Sequence, residues 1–190
     1  MYIIESLHEG DMRTGENLHD AFRQMCVDYP DFCFTSQYIS IFDKDSFLTI
    51  MQDIADDVDR NNKITILQIE CHGDREYLLL SSNEHVEWVE LFNSIRIINE
   101  KSKNHLLLNL SMCNGEAVIT EIDPKERAPF RAVIGPEGKA KVIDLQNAWI
   151  KLNSNNYSYP LDYDFVFKKG LPGTQSIPSL SNFLICSSVS

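Results

Sequence analysis

Two hydrophobic runs in this chain each end on a residue able to move a proton or attack a carbonyl. ITILQIECHGD delivers His72-Gly73, and HLLLNLSMCNGE delivers Cys113-Asn114-Gly115. An imidazole exchanges protons near neutral pH, and a thiolate is a strong nucleophile, so the two together suit acyl transfer through a cysteine-histidine dyad. A strand that closes on Cys113 and opens into a helix would turn unpaired N–H groups and the positive helix end toward the sulfur, which favours thiolate. Gly115 allows close backbone approach there, and N–H groups of such a turn can point at a developing oxyanion. Gly73 offers the same freedom beside His72. Each residue also has an ordinary reading, since cysteine is frequently a small buried hydrophobe and a single histidine a satisfied structural group. Cys71 is a bystander on this scheme, because strand alternation turns its side chain away from that of His72.

The elements that would hold these residues alternate along the chain. Residues 2–7 read as a first strand, followed by a helix with Leu18, Ala21, Phe22 and Met25 on one face. Residues 33–42 read as a second strand, before a helix carrying Phe47, Ile50, Met51, Ile54 and Val58 at three- and four-residue steps. The third strand covers 64–71, and 76–80 makes a hairpin or an edge strand ahead of a helix striped by Trp88, Leu91, Phe92, Ile95 and Ile98. A fourth strand at 106–111 enters the Cys113 turn and a short helix with Val118 and Ile122. A fifth strand at 130–134 precedes a fifth helix marked by Val142, Leu145, Trp149 and Leu152. Repeated βα alternation predicts an α/β fold with a mostly parallel sheet, helices on both faces and right-handed crossovers. In such sheets, chemistry gathers at the carboxyl ends of the strands. The spacing of His72 and Cys113 suits one crossover with a hairpin inserted.

Composition narrows the classes of function. The 190 residues, 43% hydrophobic, suffice for one domain with a real core. A formal net charge of -11 argues against binding nucleic acid or an anionic membrane, which need a cationic face. No run approaches the roughly 20 apolar residues that span a bilayer, and MYIIESLHEGD lacks a signal peptide's basic start, so the cytoplasm is the default compartment. Five cysteines without a CxxC spacing read as free thiols. No cofactor and no metal is indicated. DVDRNN at 57–62 lacks the glycine and closing glutamate of a calcium loop and reads as a solvated helix end. GPEGK at 135–139 is too short for a phosphate loop. His8, His19, His85 and His105 have no paired spacing and read as surface or packing residues, and Trp88 and Trp149 as core. Residues 1–170 form the domain and 171–190 a Gly-, Pro- and Ser-rich extension, whose Phe183, Leu184 and Ile185 would add an edge strand or fill a groove.

The order of these marks resembles the caspase, metacaspase, gingipain and CHAT superfamily of cysteine peptidases, in its compact form. That superfamily carries a hydrophobic strand ending in His-Gly and a later one ending at the nucleophilic cysteine. The resemblance covers residues 2–152 and includes the FRAVIGPEGKAKVIDLQNAWIKL block. It implies a three-layer αβα caspase-like sandwich in which Cys113 attacks the scissile carbonyl and His72 protonates the leaving amine. The N–H groups of Gly73 and Cys113 would form the oxyanion hole, and water would hydrolyse the acyl-enzyme. SMCNG departs from the QACRG-like signature of caspases proper, so their substrate preference and activation by chain cutting do not carry over. MRTGENLHDAF resembles the caspase stretch in which an Arg before a Gly binds an acidic side chain, which makes Arg13 a candidate substrate-binding residue. The expected partners are a protein or peptide substrate and a regulatory protein. Similarity to compact bacterial members suggests a defence or regulated-death setting. A non-catalytic interaction module, or a hydrolase using Cys113 on a small substrate, are the alternatives.

Overall fold

The computed structural model describes residues 1–28, 35–123, 125–141 and 144, together with the backbone of 183–187. The predicted fifth helix, the beginning of the second predicted strand and the rest of the extension lie outside the described residues.

The first strand, β1 (Tyr2–Ser6), enters α1 (Thr14–Asp28). Next come β2 (Gln37–Ser40), α2 (Lys44–Asn61), β3 (Ile66–Gly73), a hairpin of β4 (Tyr77–Leu79) and β5 (His85–Glu87), and α3 (Trp88–Lys101). The strand β6 (Leu107–Ser111) leads into a 3-10 helix (Gly115–Glu121), then β7 (Ala132–Pro136) and finally β8 (Phe183–Ser187). The sheet order is β2-β1-β3-β6-β7-β8, with β1, β2, β3, β6 and β7 parallel and β8 antiparallel on the β7 edge. This is an α/β fold with a mostly parallel central sheet flanked by helices. Of the two roles open to Phe183, Leu184 and Ile185, the edge strand is the one adopted.

Helix α2 starts where Asp43 accepts the Ser46 N–H (2.9 Å) and Ser46 Oγ takes the Asp43 N–H (3.2 Å), a reciprocal cap that satisfies two donors the helix leaves open. It ends at Asn62, whose left-handed backbone (φ 48°) closes the last turn, so DVDRNN is a helix end as expected. The stripe Phe47, Met51, Ile54, Ala55 and Val58 of α2 and the stripe Leu91, Phe92, Ile95 and Ile98 of α3 bury against Ile4, Leu67, Ile69, Leu108 and Leu110 of the sheet. Each such side chain removed from water contributes about 1.5–3 kcal/mol.

The opposite face of the sheet has a different character. Alternation puts Ile3 and Glu5 of β1, Gln68 and Glu70 of β3, and Asn109 and Ser111 of β6 on it, and all six are buried. Helix α1 covers part of this face through its N-terminal turn, where a Cβ on Gly15 would stand 3.0 Å from Ile3 and 3.1 Å from Glu5. Two buried carboxylates meet that turn. Glu5 accepts the Gly15 N–H (2.8 Å) and the Tyr38 hydroxyl (2.8 Å), and Glu70 accepts the Thr14 hydroxyl (2.7 Å) and the Gln68 amide (2.6 Å). The open Gly15 N–H and the positive end of α1 favour a carboxylate at Glu5. The pair thereby pins the loop before α1 to the carboxyl ends of the strands.

The segment after Cys113 is wound more tightly than an α-helix. The expected short helix is present, but as a seven-residue 3-10 helix that ends before Ile122 and is preceded by Asn114 in a left-handed conformation (φ 57°). Gly115 explains the tight geometry: a Cβ there would lie 3.0 Å from Pro136 Cδ, 3.2 Å from Leu110 Cβ and 3.3 Å from Gly135 Cα. The turn therefore rests backbone to backbone on β7. Gly115→Ala is expected to cost about 1–3 kcal/mol of stability, the usual cost of overpacking, as a lower urea midpoint. An unchanged midpoint would show that β7 yields to the methyl group.

Candidate active site

His72 and Cys113 come from neighbouring parallel strands. The β3–β6 register pairs Gln68 with Asn109 and Glu70 with Ser111. The register ends there with β6, and Cys113 follows two residues later in the turn, so both residues lie toward the carboxyl ends of adjacent strands. Strand β3 runs on through Gly73, so His72 lies inside the strand and not after it. Its side chain is exposed while that of Cys71 is buried, as alternation requires. Burial pushes the Cys71 thiol well above its ordinary range.

His72 has a partner that sequence reading missed. Its Nε2 lies 2.9 Å from Asp11 Oδ2, and the same oxygen accepts the His8 N–H at 2.9 Å. The His72 hydrogen bond holds the Asp11 carboxyl below the usual carboxylate range, with the His8 N–H adding to the effect. Among the described residues, His72 Nδ1 makes no hydrogen bond. Cys113 Sγ lies 4.0 Å from the Ala140 carbonyl and makes no hydrogen bond to His72. The 3-10 helix that follows has few aligned peptides, so the strong helix-end field expected at Cys113 is reduced to a small contribution. The turn is held instead by the Asn114 N–H on the Gly138 carbonyl (2.7 Å).

The second expected backbone donor is Gly73. The Asp74 N–H points to the Tyr77 carbonyl of β4 (3.2 Å), and the hairpin continues along the β1 side of β3, where the Ser81 N–H reaches Ser6 Oγ (2.9 Å). Alternation then turns the Gly73 N–H toward the other edge, the β6 side. A Cβ at Gly73 would run into the Met112 methyl and stand 3.2 Å from the Tyr77 carbonyl, so close packing restricts this position.

Arg13 lies at the mouth of α1. Its guanidinium is 3.3 Å from the buried Glu5 Oε1 and 3.5 Å from the Leu7 carbonyl, with its side chain 44% exposed. It lines an open pocket of about 420 Å³ together with Leu7, Ser40, Ile41, Phe42 and Ser81. The pocket adjoins His72 through His8, which also lines it and whose ring centroid is 5.3 Å from that of His72. Phe42, 64% exposed, forms an apolar wall.

Among the described residues, no helix is long and apolar enough to cross a membrane. Compared with known proteins, the chain matches no protein-family model and no curated protein sequence.

Proposed function

We propose that this protein is a cysteine peptidase of caspase-like type, with Cys113 as nucleophile, His72 as the proton-transfer group and Asp11 as the carboxylate that orients the imidazole. The observation that carries the reading is the β3–β6 pairing, which ends close before His72 on one strand and Cys113 on the other, with Asp11 holding one nitrogen of the imidazole. With Nε2–H bound to Asp11, the lone pair of His72 is on Nδ1 and can take the thiol proton from Cys113. This transfer requires sulfur and Nδ1 to come within hydrogen-bond range, and hydrogen bonds of unliganded sites commonly tighten when substrate binds. The thiolate then adds to the carbonyl carbon. The oxyanion meets the Gly73 N–H, and His72 returns the proton to the leaving amine. Ionised Asp11 stabilises the imidazolium between those events.

The pocket beside His8 suits the side chain ahead of the scissile bond. Arg13 would pair with an acidic group there, although Glu5 already takes part of its charge. A second reading, a non-catalytic interaction module, is favoured by one observation: Cys113 Sγ faces the Ala140 carbonyl and not His72.

Peptide electrophiles with acidic, neutral and basic residues ahead of the reactive group test both readings. Covalent modification should map to Cys113, proceed fastest with the acidic peptide, and lose that preference in Arg13→Ala. Modification of Cys26, Cys33 or Cys186 alone would overturn the assignment, and no modification at neutral pH would favour the interaction module.

A further inference from the structure

His72 belongs to a second constellation. His8, Asp11 and His72 offer one ligand atom each, all within 4.8 Å of one another, although the sequence places His72 far from the other two. The local chain geometry explains the convergence. The Asp11 N–H donates to the His8 carbonyl (3.1 Å) and the His8 N–H to Asp11 Oδ2, so both residues sit in one tight turn after β1. His72 reaches that turn from the end of β3.

We propose that His8, Asp11 and His72 form a binding site for a divalent transition-metal ion of the zinc type, and that filling it withdraws His72 from proton transfer. The second half rests on the peptidase reading; the first does not.

Two imidazole nitrogens and one carboxylate oxygen are the donor set of zinc, cobalt and nickel sites, whereas calcium and magnesium favour all-oxygen shells. Ligands about 2.0 Å from a tetrahedral ion lie roughly 3.3 Å from one another. His72 Nε2 and Asp11 Oδ2, at 2.9 Å, and His8 Nδ1 and Asp11 Oδ2, at 3.8 Å, bracket that value. The three side chains are partly exposed, at 35%, 35% and 46%, which leaves them free to make sub-ångström adjustments and leaves a path for the ion. An independent feature completes the arrangement. His8 Nε2 is 3.3 Å from the Asn83 carbonyl oxygen, Oδ1. A proton on Nε2 donated to that oxygen leaves Nδ1 as the free lone pair, facing Asp11, which is the outer-shell support that metal-bound histidines usually have.

Occupancy has a defined chemical consequence. In neutral His72, the proton is on Nε2 and the lone pair on Nδ1. Metal coordination takes the Nε2 position, and the ring proton moves to Nδ1, so no proton is released and none can be accepted there. The ring can then neither deprotonate Cys113 nor become an imidazolium. Asp11, drawn onto the ion, no longer orients the ring.

Cobalt(II) titration of the full chain, followed by its visible absorption, tests the site without reference to activity. Wild type should show a tetrahedral cobalt spectrum that zinc(II) displaces. Affinity should fall at least about 100-fold in His8→Gln and in Asp11→Asn, and roughly 10-fold in Asn83→Ala, which removes only the outer partner. A flat titration, wild-type affinity retained in His8→Gln or Asp11→Asn, or a sulfur-to-cobalt band lost in Cys113→Ala would overturn the donor set. Zinc(II) should also slow electrophile modification of Cys113 in wild type, at concentrations shifted upward in His8→Gln to match its weaker binding. Cobalt binding with metal-insensitive labelling would remove the regulatory half, and cobalt binding in a chain whose Cys113 never labels would remove the peptidase reading while leaving the metal site intact.

Discussion

Cys113→Ala is expected to lower peptide hydrolysis at least about a thousand-fold, with a comparable loss in His72→Ala and no further loss in the double variant. Residues that act as a unit fail together: without the sulfur no acyl-enzyme forms, and without the imidazole the thiol keeps its proton. The structure makes the experiment clean. His72 is exposed at the end of β3, and Cys113 is only half-buried beyond the end of β6, so neither truncation opens a cavity in the apolar core. Circular dichroism and urea midpoints should therefore remain near wild type, and substrate peptide should still bind. The natural substrate for the assay is the peptide whose electrophile analogue labels fastest. Retained hydrolysis in Cys113→Ala would refute the nucleophile assignment. Loss of the folded state in both variants would mean that the two residues serve packing.

The second large effect concerns stability and acidity. Glu70 is 2% exposed, and burial raises its carboxyl from 4.5 to about 7, with the Thr14 and Gln68 hydrogen bonds pulling it partly back. A raised folded value means that the folded chain holds this proton more tightly than the unfolded one. The resulting stabilisation is present in full below about pH 4.5 and is lost as pH rises through 7. The shift corresponds to about 3 kcal/mol. In Glu70→Gln the group cannot ionise, and the amide oxygen can still accept one of the two hydrogen bonds, from Thr14 or Gln68, that the carboxyl accepts. The stability difference between variant and wild type should therefore move by about 3 kcal/mol in favour of the variant between pH 4 and pH 8. Urea unfolding across that range checks it, and parallel stability curves would contradict it.

Much of the scaffold was legible in the sequence because it depends on periodicity. The stripes of α2 and α3 and the apolar runs of β3 and β6 have spacings that only one kind of element can bury, and their order implied the parallel sheet. The polar track was also readable in principle. Gln68, Glu70 and His72 alternate along one strand, as do Asn109 and Ser111 along the next, yet the hydrophobic residues between them dominated the pattern. Asp11 and His8 were not readable. They lie in a turn of ordinary polar composition, and only the seating of α1 on Glu5 and Glu70 carries them to His72. The 3-10 helix escaped for a similar reason: Val118 and Ile122 have helical spacing, but contact between Gly115 and Gly135 tightens the turn.

That contact also has a consequence in time. The chain is made from its N-terminus, so β1, β3 and β6 are available before β7 exists. Gly115 seats against the Gly135 backbone and the Pro136 ring as well as Leu110 of β6, and until Gly135 and Pro136 have been added the Cys113 turn lacks its β7 support. A growing chain can thus carry the imidazole, the carboxylate and the thiol before the loop that bears the thiol has its support, and that loop settles only once β7 has been added.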